Sequence, residues 1–228
     1  ELIEMPRIRA ALGLDSIPVP STLCKAFDRL EVAVWRVLLN VSFADWPLNG
    51  VIGIDVCGFE RAHASGHYTK RTNLTIQQLR TTLLADTVAN VVLDIHATTT
   101  RKHDAQIAPQ VVKRNAAFIA VLIGDEGYDD QELRQFARDH DIRPLIKHRE
   151  FTPLHEAWNT GLDSDLSHQW KVNETVNAAI KRKFGAFVRS RRWWKQFREL
   201  VIKCVVLTAS TERRAEGFRN APKLLYAV

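Results

Sequence analysis

Val51-Ile52-Gly53-Ile54-Asp55-Val56-Cys57 is a β-branched run interrupted by one carboxylate, and it follows directly on the turn signal Asn49-Gly50. Such composition favours a strand bounded by a turn. A charge inside that strand has no packing use unless it is paired or faces a site, so Asp55 is singled out by its surroundings. Two more apolar segments, Leu79 to Asp86 and Val91 to Ala97, are joined by a short turn and predict a hairpin. Beyond them the pattern changes. A helix is expected from Asp104 to Asn115 with Asp104 as cap, then a continuous apolar strand from Phe118 to Gly124 that ends at Asp125. A helix from Asp129 to His140 and a short strand from Ile142 to Lys147 follow. After a loop, Asn173 is expected to cap a helix to about Phe184, and a last helix spans Trp193 to Val206.

Three consecutive strands followed by αβαβα predict a mixed sheet, with an antiparallel meander at one side and helices on both faces. Upstream, Leu23, Phe27, Leu30, Val34, Val37, Leu38 and Val41 recur at spacings of three and four. That amphipathic stripe predicts one helix from Ser21 or Thr22 to about Asn40.

At 228 residues and 46% apolar, the chain can bury a core without metal or disulfide support. Cys24, Cys57 and Cys204 are odd in number and scattered, which reads as buried thiols in a reducing compartment. No apolar run is long enough to span a membrane. Net charge is +6, compatible with a polyanionic partner. The charge is concentrated between Lys181 and Lys203, where Lys181, Arg182, Arg191, Arg192, Lys195 and Arg198 alternate with Phe184, Phe187, Trp193, Trp194 and Phe197. That segment reads either as a DNA-facing surface or as an amphipathic helix pair with a solvated face.

Three acids stand out by position. Asp55 interrupts the first strand, Asp125 follows the carboxyl end of a buried strand where open sheets place ligands, and Glu174 begins a basic helix. Singly, each also fits a turn acid or a helix-start acid. Together they are a hard-oxygen donor set suited to Mg²⁺ or Mn²⁺, able to serve phosphoryl transfer. Seven residues make nearly two helical turns, so Ser167, Glu174 and Lys181 would share a face with Trp170 if the helix reached that far back. A zinc site is the weaker reading: His63 and His67 are four apart and His96 lies two from Asp94, but no third ligand clusters with them and there is no His-Glu-x2-His pattern.

The quoted residues carry a family likeness. Gly53 to Arg61, then His63-Ala64-Ser65-Gly66-His67-Tyr68, resembles the first acidic motif of insertion-sequence DDE transposases, particularly the archaeal ones. Leu93-Asp94-Ile95-His96, Gly124-Asp125-Glu126-Gly127-Tyr128-Asp129, Arg143 to Phe151 and Glu174-Thr175-Val176 continue it in order, from about Ser21 to Val205. The resemblance implies an α/β fold, an RNase H-like mixed five-stranded sheet flanked by helices. It divides the chain into a helical N-terminal remnant at 1–47, itself a candidate DNA-binding segment, a catalytic domain at 48–206 and a divergent C-terminal tail at 207–228. It also implies a metal triad of Asp55, Asp125 and Glu174 with Mg²⁺ as cofactor and Mn²⁺ as substitute. Lys181 closes the subgroup's Tyr-x2-Arg-x3-Glu-x6-Lys signature, with Arg182 beside it; apart from the resemblance, Lys171 next to the arginine position and Arg191 and Arg192 of the basic segment are further expected DNA contacts. The implied partners are double-stranded DNA, both element ends and target, and further copies of the chain in a homo-oligomer on DNA. The expected location is cytoplasmic, nucleoid-associated when bound, with no membrane contact.

Two signature positions depart. Ser167 stands at the tyrosine position and Trp170 at the arginine position, where an indole cannot grip phosphate; Glu126 replaces a base after the second aspartate. Trp170 is expected either to face DNA or to pack against Trp193 or Trp194. A truncated or decayed copy that only binds DNA, a domesticated DNA-binding protein, and an RNase H-like nuclease remain the alternatives to an active transposase.

Overall fold

The computed structural model describes residue 16 and residues 18–61, 78–99 and 102–220, with side chains through Thr211. His63, His67 and Tyr68 lie outside the described residues.

Two helices open the described chain, α1 (Pro20–Arg29) and α2 (Val32–Val41), where the apolar stripe predicts one. The break falls at Leu30, whose backbone is extended. Tertiary partners hold it there: the Trp35 indole donates to the Leu30 carbonyl, and Arg198 donates to the carbonyls of Phe27 and Asp28. The sheet follows with β1 (Val51–Arg61), β2 (Gln78–Asp86) and β3 (Val91–Thr98), an antiparallel meander. The β2–β3 turn is tied by Asp86, whose carboxylate accepts from the N–H groups of Asn49, Val88 and Ala89.

Helix α3 (Asp104–Asn115) has the expected span, but His103 occupies its cap position and Asp104 is its first residue. The predicted strand from Phe118 is shorter: Ala116–Phe118 close a 3₁₀ turn, and β4 is Val121–Gly124. Helix α4 (Gln131–Arg138) is capped by Asp130, and β5 (Arg143–Ile146) lies outside β4. The segment expected as loop carries α5 (Pro153–Thr160) and the short α6 (Ser164–Ser167). Helix α7 (Lys171–Phe184) begins two residues before Asn173, which is therefore buried inside the helix and caps nothing. A two-residue β6 (Phe187–Val188) and the 28-residue α8 (Trp193–Asn220) end the described chain.

The strand order is β3-β2-β1-β4-β5, with β4 parallel to β1 and β5 parallel to β4. This is the RNase H-like arrangement. β6 adds a sixth strand against the far end of β1, at Glu60 and Arg61.

Strand alternation sends β1 side chains to two separate cores. Cys57 and Phe59 pack with Val176 and Ile180 of α7 and Phe197 and Leu200 of α8, and Trp35 and Leu39 of α2 join them. Ile52 and Ile54 pack on the other face with Ile107 and Val111 of α3 and Leu133 of α4. Asp94, on the edge strand β3, ties these layers together. Its carboxylate, 4% exposed, accepts from Arg36 of α2 at 2.8 Å, Arg114 of α3 at 2.7 Å and Asn115 at 2.9 Å. Cys57 and Cys204 are buried as expected, whereas Cys24 is exposed.

Candidate active site

The β1–β4 register runs Val51↔Val121, Ile52↔Leu122, Gly53↔Ile123. Continued two residues, the register sets Asp55 of β1 opposite Asp125, the first residue past the end of β4. There β4 has ended, and Asp125 turns into a 3₁₀ turn with its Oδ1 accepting from the Gly127 N–H at 2.9 Å. Among the described residues, β1 has no strand partner on that edge again until β6 reaches Glu60. Asp55 lies in the gap so formed, at the place where the sheet divides. Open α/β sheets place their ligands at such points.

Helix α7 supplies the third acid by running along β1. Four helical residues rise about 6 Å and two strand residues about 6.6 Å, so every helical fourth residue can meet every second strand residue. Asn173 lies on Gly53, where a Cβ would stand 2.3 Å from the Asn173 Nδ2. Asn177 Nδ2 donates to Asp55 Oδ2 at 2.7 Å. The Lys181 ammonium sits 5.7 Å from the centre of the Phe59 ring. Glu174 is one turn before Asn177, on the exposed side of the same helix.

Burial pushes the Asp55 carboxyl above its ordinary range, and the negative charges of Asp125 and Glu174 add to the rise. Hydrogen bonds from the Val56 N–H and Asn177 pull in the opposite direction. Among the described residues none of the three acids has an ion-pair partner. An unneutralised set of oxygen ligands fits a hard divalent cation. The set is open: among the described residues no three His, Cys, Asp or Glu side chains are gathered tightly enough to hold one ion between them. Asp94 cannot assist His96 in a zinc site, because its oxygens are taken by Arg36, Arg114 and Asn115.

A cavity of about 660 Å³ opens beside Asp125, with Lys147, Ser167, His168, Trp170 and Lys171 in its wall. Ser167 and Trp170 precede α7, in α6 and a 3₁₀ turn, so they do not continue the Glu174–Lys181 face. They face the cavity instead. Trp170 makes no ring contact with Trp193 or Trp194 among the described residues.

The basic residues named from the sequence divide. Lys171 borders the cavity, and Lys181 packs over Phe59. Arg182 lines a separate cavity of about 290 Å³ with Lys183 and Ser210. Arg191 and Arg192 are exposed between β6 and α8, beyond the end of β1 remote from Asp55. Arg198 and Lys203 are buried on backbone carbonyls and belong to the scaffold. Asn177, which bonds Asp55, and Lys147 and His168, which line the cavity, are not among the residues that stand out in the sequence. For Asn177 a signal existed: it is a polar residue beside Val176 and one turn before Ile180, on the face that had to be apolar.

Residues 49–209, which include all three acids, match the family described as Transposase DDE domain. The chain belongs to that family. DNA cleavage and strand transfer with divalent metal ions are the chemistry of this transposase family. Among solved structures, the catalytic core domain of BIV integrase aligns at 7% identity and a TM-score of 0.40, over 74% of this chain and 96% of its own. A chain of the simian T-cell lymphotropic virus intasome aligns at 15% identity and a TM-score of 0.36, over 65% of this chain and 46% of its own. No curated protein matches the transposase domain in sequence. None of its helices is long and apolar enough to cross a membrane, among the described residues.

Proposed function

We propose that this transposase domain cuts an insertion sequence at its 3′ ends and joins the freed hydroxyl to target DNA, using Asp55, Asp125 and Glu174 to hold Mg²⁺, with Mn²⁺ as substitute. The observation that carries this is positional: the β1–β4 register, continued past its last pair, sets Asp55 opposite Asp125 at the split in the sheet, and α7 is held along β1 beside them. Bound divalent ions supply an activated oxygen nucleophile and charge stabilisation for the leaving oxygen.

The chain's own residues do the rest. Gly127 fixes the Asp125 carboxylate, and Asn177 fixes that of Asp55. Lys147 and Lys171 place positive charge at the cavity mouth beside Asp125, where a phosphate would approach. Trp170 offers the same cavity a stacking surface without charge. Lys181, Arg182, Arg191 and Arg192 extend the basic surface along the duplex, away from the carboxylates. Element ends and target are both double-stranded DNA, and copies of the chain assemble on them in the cytoplasm, at the nucleoid.

A second reading rests on Trp170 and Ser167, which remove an arginine and a tyrosine from the family's signature: a copy that keeps the fold and binds DNA without joining it. A joining assay with pre-cut ends separates the two. Active protein yields strand-transfer products in Mn²⁺, and Asp55→Asn, Asp125→Asn and Glu174→Gln each abolish them. Cleavage without joining identifies a nuclease. DNA binding with neither product, and joining regained by Trp170→Arg, identifies the decayed copy. Full activity in any of the three carboxylate variants would remove that residue from the site.

A further inference from the structure

Asn177 is placed where an apolar residue would pack more cheaply. It lies on the inner face of α7 beside Val176, one turn before Ile180, and it is 5% exposed. Among the described residues its Oδ1 is buried without a partner, as are both amide atoms of Asn173 one turn earlier. An unsatisfied buried amide atom costs about 1–3 kcal/mol, so stability does not account for an asparagine here. What the side chain does accomplish is one bond, from Nδ2 to Asp55 Oδ2 at 2.7 Å, across 122 residues of sequence. The other Asp55 oxygen is occupied by the Val56 N–H at 2.7 Å. The two donors between them set the plane and rotamer of the carboxylate. The close approach that brings Asn177 within reach depends on Gly53, since any side chain there would strike Asn173.

We infer that Asn177 is a positioning residue, which orients the Asp55 carboxylate toward a divalent cation and links that orientation to the helix carrying Glu174. The inference rests on the reading of Asp55 as a metal-holding residue. Its physical basis is general: hydrogen-bond partners of metal-binding carboxylates restrict their orientation, and their loss weakens metal binding by about 10–100-fold. Because Asn177 and Glu174 are on one helix, any shift of α7 that moves Glu174 also turns the Asp55 carboxylate. The two acids are mechanically joined through a residue that touches neither substrate nor ion.

The test is a Mn²⁺ titration of the full chain followed by electron paramagnetic resonance, which reports bound ion without any turnover. Metal-free melting curves are recorded on the same samples. Wild type, Asp55→Asn, Asn177→Leu and Asn177→Gln are compared, with Asn177→Ser in place of the leucine variant if that one does not fold. The expected result is that Asp55→Asn loses the site and Asn177→Leu binds Mn²⁺ about tenfold more weakly. Its metal-free melting temperature should be equal to or above that of wild type. Asn177→Gln, which keeps the amide donor, should regain most of the affinity. If Asp55→Asn loses the site while Asn177→Leu binds as wild type, the positioning role is refuted and the metal site stands. A lower melting temperature with unchanged affinity in the folded protein assigns Asn177 to the scaffold and also refutes it. If Asp55→Asn itself binds Mn²⁺ as wild type, the metal-site reading fails and takes this inference with it.

Discussion

Asp55 is held in the folded protein under conditions that oppose its charge. Burial and the two neighbouring acids raise its proton affinity above that in the unfolded chain, despite the donors at Val56 and Asn177. The folded state therefore binds this proton more tightly than the unfolded state, and stability falls as pH rises from the ordinary carboxylate range through the raised value. A residue kept for chemistry often carries such a cost. In metal-free buffer at neutral pH, Asp55→Asn should melt above wild type; at this chain length about 1 kcal/mol corresponds to about 2–4 °C. The difference should shrink as pH drops below the ordinary carboxylate range, where wild-type Asp55 is neutral in both states. Melting curves at about pH 2.5 and pH 7.5 are sufficient, and a wild type that melts higher at pH 7.5 would contradict the account.

At the scale of elements, the contact between α7 and β1 decides whether the site exists. Gly53→Ala places a methyl group against the side-chain amide of Asn173, which is 1% exposed. The amide or the helix that carries it must shift, at about 1–3 kcal/mol for overpacking. The Asp55–Asn177 bond should be lost with it, so lower stability and weaker Mn²⁺ binding should appear together. An alanine variant with wild-type melting and affinity would mean that α7 is not seated as described. This contact also marks the limit of what the sequence discloses. Asp55 and Asp125 are legible because a charge in an apolar run and a charge at a strand's end are local anomalies. The strands and α3 are legible for the same local reason, as periodicity and length. Asn177 and the break at Leu30 are not, because their causes lie far along the chain. Asn177 answers to Asp55, and the extended Leu30 answers to Trp35 and to Arg198 of α8. Propensity and stripe continue through Leu30, and only tertiary hydrogen bonding interrupts them. The start of α7 is not legible for a related reason: asparagine favours caps, but the burial of Asn173 on Gly53 overrides the preference.

For the whole molecule, Asp94 matters more than any site residue. It receives Arg36 from the helical layer on one face and Arg114 and Asn115 from the layer on the other, at the open edge of the sheet. Asp94→Ala leaves two partly buried guanidinium groups without their anion, which should cost about 3 kcal/mol. Urea denaturation should show that loss, while Mn²⁺ binding per folded molecule stays unchanged. If binding falls in proportion to something other than the folded fraction, the two layers are coupled to the site more directly than through Asp94.

The bond between Asp55 and Asn177 spans 122 residues, and this has a consequence for synthesis. At about 5–20 residues per second, a ribosome needs about 6–24 s to pass from one to the other. During that interval the first two carboxylates can find their strands, but the third acid does not yet exist. If the three acids act as proposed, a message that ends before Glu174, or a polypeptide still threaded through the ribosome, should not cut DNA. On that reading competence arrives late, when the last third of the chain settles onto the first.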